Sequence, residues 1–179
     1  MQRIHNAISL LLASVCLVFF VMLSVSAGAQ ETVEFQKGDF GKAASFSYID
    51  KDSKPLTLDP SKAKLTALHF WATWCVPCVD ELPTVDDEQG IFGKNLQIVP
   101  VALDGKNIDK VQKFFAAHKI KNLPVLLDPT AKTSKTAGLQ GLPGTIFIDP
   151  KGNIIARADG PLDWQQPEVS SFIKAQLAK

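Results

Sequence analysis

Cysteine is scarce in this chain: three in 179 residues, at positions 16, 75 and 78. Cys16 falls inside an apolar leader, so beyond it Cys75 and Cys78 have only each other. That excludes a small fold stapled by several disulfides. Charge of one sign is lacking as well. Lys and Arg number 19 against 18 Asp and Glu, and setting aside Arg3 leaves residues 30–179 with 18 of each. Such a balance carries no electrostatic footprint for nucleic acid and no polybasic membrane patch. Repeats, low-complexity stretches and long linkers are absent too. With 46% hydrophobic and 21% charged residues, the composition is too apolar for disorder.

What is present begins with targeting. Met1–Asn6 is a short start with one basic residue, Arg3, and Ala7–Val25 is a nearly unbroken apolar run. Ala27-Gly28-Ala29 then supplies the small residues a signal peptidase reads, with Gln30 as the first mature residue. The run of about 19 residues is also long enough to stay as a membrane anchor. Residues 1–29 are therefore read as a signal peptide or an anchor. Either way the remainder is exported to an oxidising compartment, most simply a bacterial periplasm. Ser14-Val15 before Cys16 makes a poor lipidation site, so Cys16 reads as a small apolar residue of the leader.

The exported part is long enough for one domain with a single hydrophobic core. Residues 30–44 form a polar lead-in or tether, and 45–179 the domain. Ser45–Ile49 and Leu56–Leu58 flank a polar turn and read as a hairpin. Leu65–Trp71 and Leu96–Leu103 suit buried strands, with Asp104-Gly105 as a break. Between them a helix is expected from near Pro77 to about Glu88, with Val79, Leu82 and Val85 inward and Asp80, Asp86, Asp87 and Glu88 on its wet face. Asn107 should cap a helix bearing Ile108, Val111, Phe114 and Phe115, with His118 as a charge at its end. Val125–Leu127 is a short strand, and Thr130–Ala137 a short helix stopped by Gly138. Thr145–Ile148 and Asn153–Ala158 read as a second hairpin turned at Asp149–Gly152. Val169, Phe172, Ile173 and Leu177 make the stripe of a closing helix. Strands alternating with helices imply an α/β fold whose sheet has a parallel centre, and the late hairpin makes that sheet mixed.

The chemistry is concentrated in Cys75-Val76-Pro77-Cys78. Two cysteines three apart can close a disulfide where a turn leads into a helix, and Pro77 in the first turn loses no hydrogen bond there. The partial positive charge at the helix start would stabilise a Cys75 thiolate. A thiol of pKa about 8.5 is roughly 3% ionised at pH 7, whereas one near 7 is about half ionised. Cys75 is accordingly the expected nucleophile and Cys78, one turn in, the resolving thiol. A purely structural disulfide restrains so short a loop little. Zinc needs four ligands, with only His69 and His118 left to supply them, while two thiolates alone would suffice for Cu(I).

Phe70-Trp71-Ala72-Thr73-Trp74-Cys75-Val76-Pro77-Cys78 resembles the active-site segment of the thioredoxin superfamily. Glu81-Leu82-Pro83, and Gly141-Leu142-Pro143-Gly144-Thr145-Ile146-Phe147-Ile148-Asp149 with Gly152, extend the likeness to its exported TlpA/ResA/DsbE-like branch. The resemblance runs from about Phe46 to Leu177. It implies a thioredoxin-like fold, a mixed central sheet flanked by helices, with an N-terminal hairpin and an extra segment, about Ile108–Leu139, inserted before the final hairpin. It also implies that Pro143 is a cis-proline facing the disulfide, turning the Leu142 backbone toward a substrate strand.

Trp71 reads as core. Trp74, Val76, Pro77, Leu142 and Pro143 form a substrate-binding rim for a partner's cysteine segment. His69, six residues before Cys75, stands where the family commonly has a buried acid or amide. If buried it is neutral and either relays the Cys78 proton or is a hydrogen-bonded core histidine. Glu81, on the face near Cys78, reads as a proton acceptor or as a solvated helix glutamate.

The activity this implies is a periplasmic protein disulfide reductase. A histidine between the cysteines would favour the reduced thiolate and make an oxidant, and Val76-Pro77 lacks one. A disulfide oxidase or isomerase, and a Cu(I)-carrying module without turnover, are the alternatives. No cofactor beyond the dithiol is called for. The family's substrates include the cysteine pairs of apocytochrome c and of copper-oxidase assembly factors, with a membrane thiol transporter as donor.

Overall fold

The computed structural model describes residues 35–179. The leader, Cys16 and residues 30–34 lie outside the described residues. Eight strands form one mixed sheet: β1 (Gln36–Lys37), β2 (Ser47–Asp50), β3 (Pro55–Thr57), β4 (Leu65–Trp71), β5 (Leu96–Ala102), β6 (Leu126–Leu127), β7 (Gly144–Ile148) and β8 (Ile154–Asp159). Their order across the sheet is β1-β8-β7-β4-β5-β6-β2-β3. Four α-helices accompany them: α1 (Val76–Phe92), α2 (Ile108–Ala117), α3 (Lys132–Thr136) and α4 (Pro167–Leu177). β4, β5 and β6 run parallel, while β7, β8 and β1 on one side and β2 and β3 on the other are antiparallel. This is the thioredoxin-like α/β fold with the expected hairpin and insertion.

Every residue of β4 is buried, and the period-two alternation of a strand divides them between two cores. Leu65, Ala67 and Trp71 join Leu82 and Val85 of α1 and Val169 and Ile173 of α4 on one face. Leu68 and Phe70 join Phe46, Tyr48 and Ala137 on the other. His69 has the parity of Ala67 and Trp71, so it faces the helix that carries the cysteines. The insertion supplies β6, which pairs with β5 and gives the N-terminal hairpin an edge to dock on.

Three features differ from expectation. Packed chain begins before residue 45: Phe35 is buried, Gln36 and Lys37 pair with Arg157 and Ala156, and Lys42 bridges Asn153. Helix α1 runs on to Phe92 instead of stopping near Glu88, with Gly90 inside it packed against Asn122. A Cβ there would meet Asn122 Nδ2 at 2.8 Å, and the turn is left to Gly93 at φ +54°. Finally, Asp86 and Glu88 are buried, not wet. Glu88 has Lys174 of α4 as its compensating charge, although burial still raises its pKa.

Asp86 has a structural task that a charge pattern does not display. Its carboxylate accepts the backbone N–H groups of Lys121, Asn122 and Leu123 at 2.7–3.1 Å, plus Asn122 Nδ2–H. It thereby pins the loop after α2 to α1 and satisfies donors that have no partner in a strand or helix. Asp86→Ala is expected to destabilise the domain by about 2–4 kcal/mol in urea unfolding, through orphaned backbone donors. A loss below half a kcal/mol would show the loop to be held by other means.

Candidate functional site

The junction of β4 and α1 builds the site. Ala72, Thr73 and Trp74 turn the chain, Cys75 N–H donates to the Ala72 carbonyl, and Cys75 occupies the N-cap of α1. Pro77 lies in the first helical turn, where its missing N–H costs nothing. The two sulfurs are joined as a disulfide with Cα atoms 5.3 Å apart. Cys75 retains 6% exposure and Cys78 none, so of the two only Cys75 meets solvent. Around it Trp74 is 64% and Val76 72% exposed, a large apolar area for a soluble surface.

The loop before β7 leads into Gly144, which lies opposite Phe70 near the end of β4. The Leu142–Pro143 bond is cis; Leu142 is half-buried and Pro143 buried. Asp104, read from sequence as a mere break, accepts the Thr73 backbone N–H at 2.9 Å and its hydroxyl, while Lys110 Nζ lies 3.0 Å from Oδ1. The β5–α2 loop therefore anchors the turn two residues before Cys75. His118 stacks on Phe114 at the exposed end of α2, away from the buried polar layer. Among the described residues no group of three or more His, Cys, Asp or Glu is arranged to hold a metal.

Behind the disulfide lies that buried polar layer. Glu81, one turn along α1 from Cys78, is 8% exposed. Trp164 Nε1–H donates to its Oε1 at 2.6 Å and Leu162 N–H to its Oε2 at 3.3 Å. Burial pushes the carboxyl up to about 7, with the two donors pulling the other way. His69 is fully buried, and desolvation drives it down to about 3. Its Nδ1 is 2.9 Å from Thr145 Oγ1, a directly opposed residue on β7. Glu81 Oε1 is 4.0 Å from the same nitrogen. At that separation, and with an imidazole so reluctant to charge, the two do not form an ion pair. His69 Nε2 and Trp71 Nε1 have no hydrogen-bond partner among the described residues.

Local sequence reading names Cys75, Cys78, His69 and Glu81, which the structure brings together at the start of α1 and beneath it. It passed over Thr145, Leu162 and Trp164. Thr145 became visible only through strand register, and Trp164 stands 83 residues from Glu81 with no local pattern to link them.

Known proteins give this geometry a context. The family model described as AhpC/TSA family matches residues 41–157. The thiol-disulfide oxidoreductase ResA of Bacillus thuringiensis subsp. konkukian is 31% identical over 134 residues, covering 74% of this chain and 77% of that protein. A Chlorobium tepidum structure, described as a candidate thiol:disulfide interchange protein DsbE, superposes with TM-score 0.67 at 30% identity over 80% of this chain and 99% of its own. The exposed lipoprotein thioredoxin Etrx1 of Streptococcus pneumoniae follows at TM-score 0.62 and 28% identity, covering 74% and 99%.

The two buried titrations oppose each other in stability. An unfolded histidine takes a proton at 6.5, whereas folded His69 refuses it down to about 3. The unfolded chain thus binds more protons in that range, and stability rises with pH. Folded Glu81 keeps its proton to about 7 against an ordinary 4.5, so its contribution falls as pH rises between those values. Glu81→Gln removes the second slope alone. Denaturant unfolding from pH 4.5 to 6.5 should show this variant gaining stability with pH relative to the parent. A constant offset between the two would mean that Glu81 titrates normally.

Proposed function

The chain belongs to the AhpC/TSA family, and we propose that it works as an exported protein disulfide reductase in which Cys75 attacks and Cys78 resolves. Within the family it is a TlpA/ResA/DsbE-like thiol–disulfide oxidoreductase of the thioredoxin superfamily. The observation that carries the proposed roles is the asymmetry of the pair: one sulfur at a helix N-cap under an exposed apolar rim, the other sealed behind it.

In the reduced protein the Cys75 thiolate attacks one sulfur of a partner's disulfide. A Cys75–partner bond forms, the partner's S–S bond breaks, and its other sulfur leaves as a thiolate that takes a proton from solvent. Cys78 then gives its proton to Glu81, and its thiolate attacks Cys75 Sγ. That closes the Cys75–Cys78 disulfide and releases the second partner sulfur as a thiolate, which takes a proton from solvent. The partner gains two electrons and the dithiol loses two, so no further cofactor is required. Trp74, Val76, Pro77 and Leu142 receive the partner's extended cysteine segment, whose backbone pairs beside Pro143. His69 stays neutral and, through Thr145 and Glu81, belongs to the proton relay.

Reduction is favoured over oxidation by Val76 and Pro77, which place no positive neighbour beside the thiolate. The leader and the exposed lipoprotein among the similar structures support an extracytoplasmic, periplasmic setting. Apocytochrome c and copper-oxidase assembly factors are the substrates proposed, recharged through a membrane thiol donor.

Cys75→Ser should abolish thiol-dependent reduction of protein disulfides, and Cys78→Ser should accumulate a mixed disulfide on Cys75 whose partner mass spectrometry identifies. Faster alkylation of Cys78 than Cys75 at pH 7 would reverse the roles. The couple should equilibrate well below the roughly −180 mV of a disulfide isomerase; a value above that assigns oxidation or isomerisation instead.

A further inference from the structure

Trp164 sits on the loop between β8 and α4, fully buried, its ring 5.7 Å from Phe147 and edge-on to His69 at 6.1 Å between centroids. Bulk alone does not account for it. The same core holds Trp71 just as deeply with its indole N–H unpartnered, so this interior tolerates an indole without a hydrogen bond. Trp164 instead aims its N–H at one oxygen of the Glu81 carboxyl group from 2.6 Å. Leu162 N–H, from the same loop, reaches the other oxygen.

We propose that Trp164 is a positioning residue for the dithiol chemistry: its indole N–H holds Glu81 as a carboxylate one helical turn from Cys78, ready to accept the thiol proton. This rests on the proton-acceptor role proposed for Glu81. The groups facing that carboxylate are few. His69 comes from β4, Cys78 from its own helix, and no lysine or arginine among the described residues lies within 4.0 Å. With no cation to stabilise the ionised form, the task falls to neutral donors. Without the stronger of them, a desolvated carboxyl beside a neutral imidazole would keep its proton through neutral pH and accept nothing from Cys78. The loop before the last helix thereby sets the pH range in which the mixed disulfide resolves.

The test follows reduced protein reacting with 5,5′-dithiobis(2-nitrobenzoate) by stopped flow from pH 5 to 9. The first thiolate released reports attack by Cys75 and the second reports resolution by Cys78. For the parent, the second phase should inflect near pH 7. Trp164→Phe should move that inflection up by about one unit, slow the phase about fivefold at pH 7 and recover by pH 9, with the first phase unchanged. Carbon-13 NMR of the Glu81 carboxyl should record the same displacement. Should Trp164→Phe not fold, benzothienylalanine at position 164 keeps the ring volume without the N–H. Glu81→Gln should erase the inflection, and Trp164→Phe should then add nothing. An unshifted profile, or equal slowing at every pH, overturns the role of Trp164 while leaving Glu81 in place. An inflection that survives Glu81→Gln overturns the acceptor role itself, and this proposal with it.

Discussion

The constraint from which the site follows is the join between a completely buried strand and the first turn of a helix. β4 is flanked by β5 along all seven residues and by β7 along Thr66–Phe70, and every one of its residues is buried. Its end therefore delivers α1 to one place with one direction. The helix start then puts Cys75 where backbone N–H groups and the helix dipole favour negative charge. The 3.6-residue repeat turns Cys78, Glu81, Leu82 and Val85 inward over the same sheet. Asp104 holding Thr73, and Asp86 holding the loop after α2, fasten the two ends of that arrangement.

Beneath the disulfide the protein buries two ionisable groups without making them an ion pair. A charged pair there would need to recover the desolvation of both partners. Instead each group leans toward its neutral form, the carboxyl raised and the imidazole lowered, both chiefly by burial. Neutral groups in hydrogen-bond contact are cheaper to bury than ions. A carboxyl poised near neutrality is also suited to take and return a proton at working pH. Site chemistry and core packing are thus the same set of contacts: Trp164 fills space against Phe147 and, through one N–H, acts on Glu81.

Much of this was legible beforehand, for reasons that can be named. Leu65–Trp71 reads as a buried strand because it is short, apolar and bounded, and it spans those residues in the structure. Asn107 signals its cap, and its side chain does accept Lys110 N–H. The failures are equally specific. The first helix reads as ending near Glu88 until Gly90 is seen packed against Asn122, with the turn left to Gly93. Asp86 looks like a solvated charge until three backbone N–H groups from a segment 35–37 residues away converge on it.

Local chemistry alone therefore determined the two-cysteine turn, the strand–helix alternation and the mixed sheet, because each depends on spacing within a few residues and on burial patterns of period 2 or 3.6. Tertiary structure alone decided the state of the buried polar layer. Whether His69 is neutral, whether Glu81 meets water, and which donor meets its carboxylate depend on desolvation and on atoms from β4, α1, β7 and the β8–α4 loop meeting within about 4 Å. Distances of that kind between remote segments exist only once the sheet has closed.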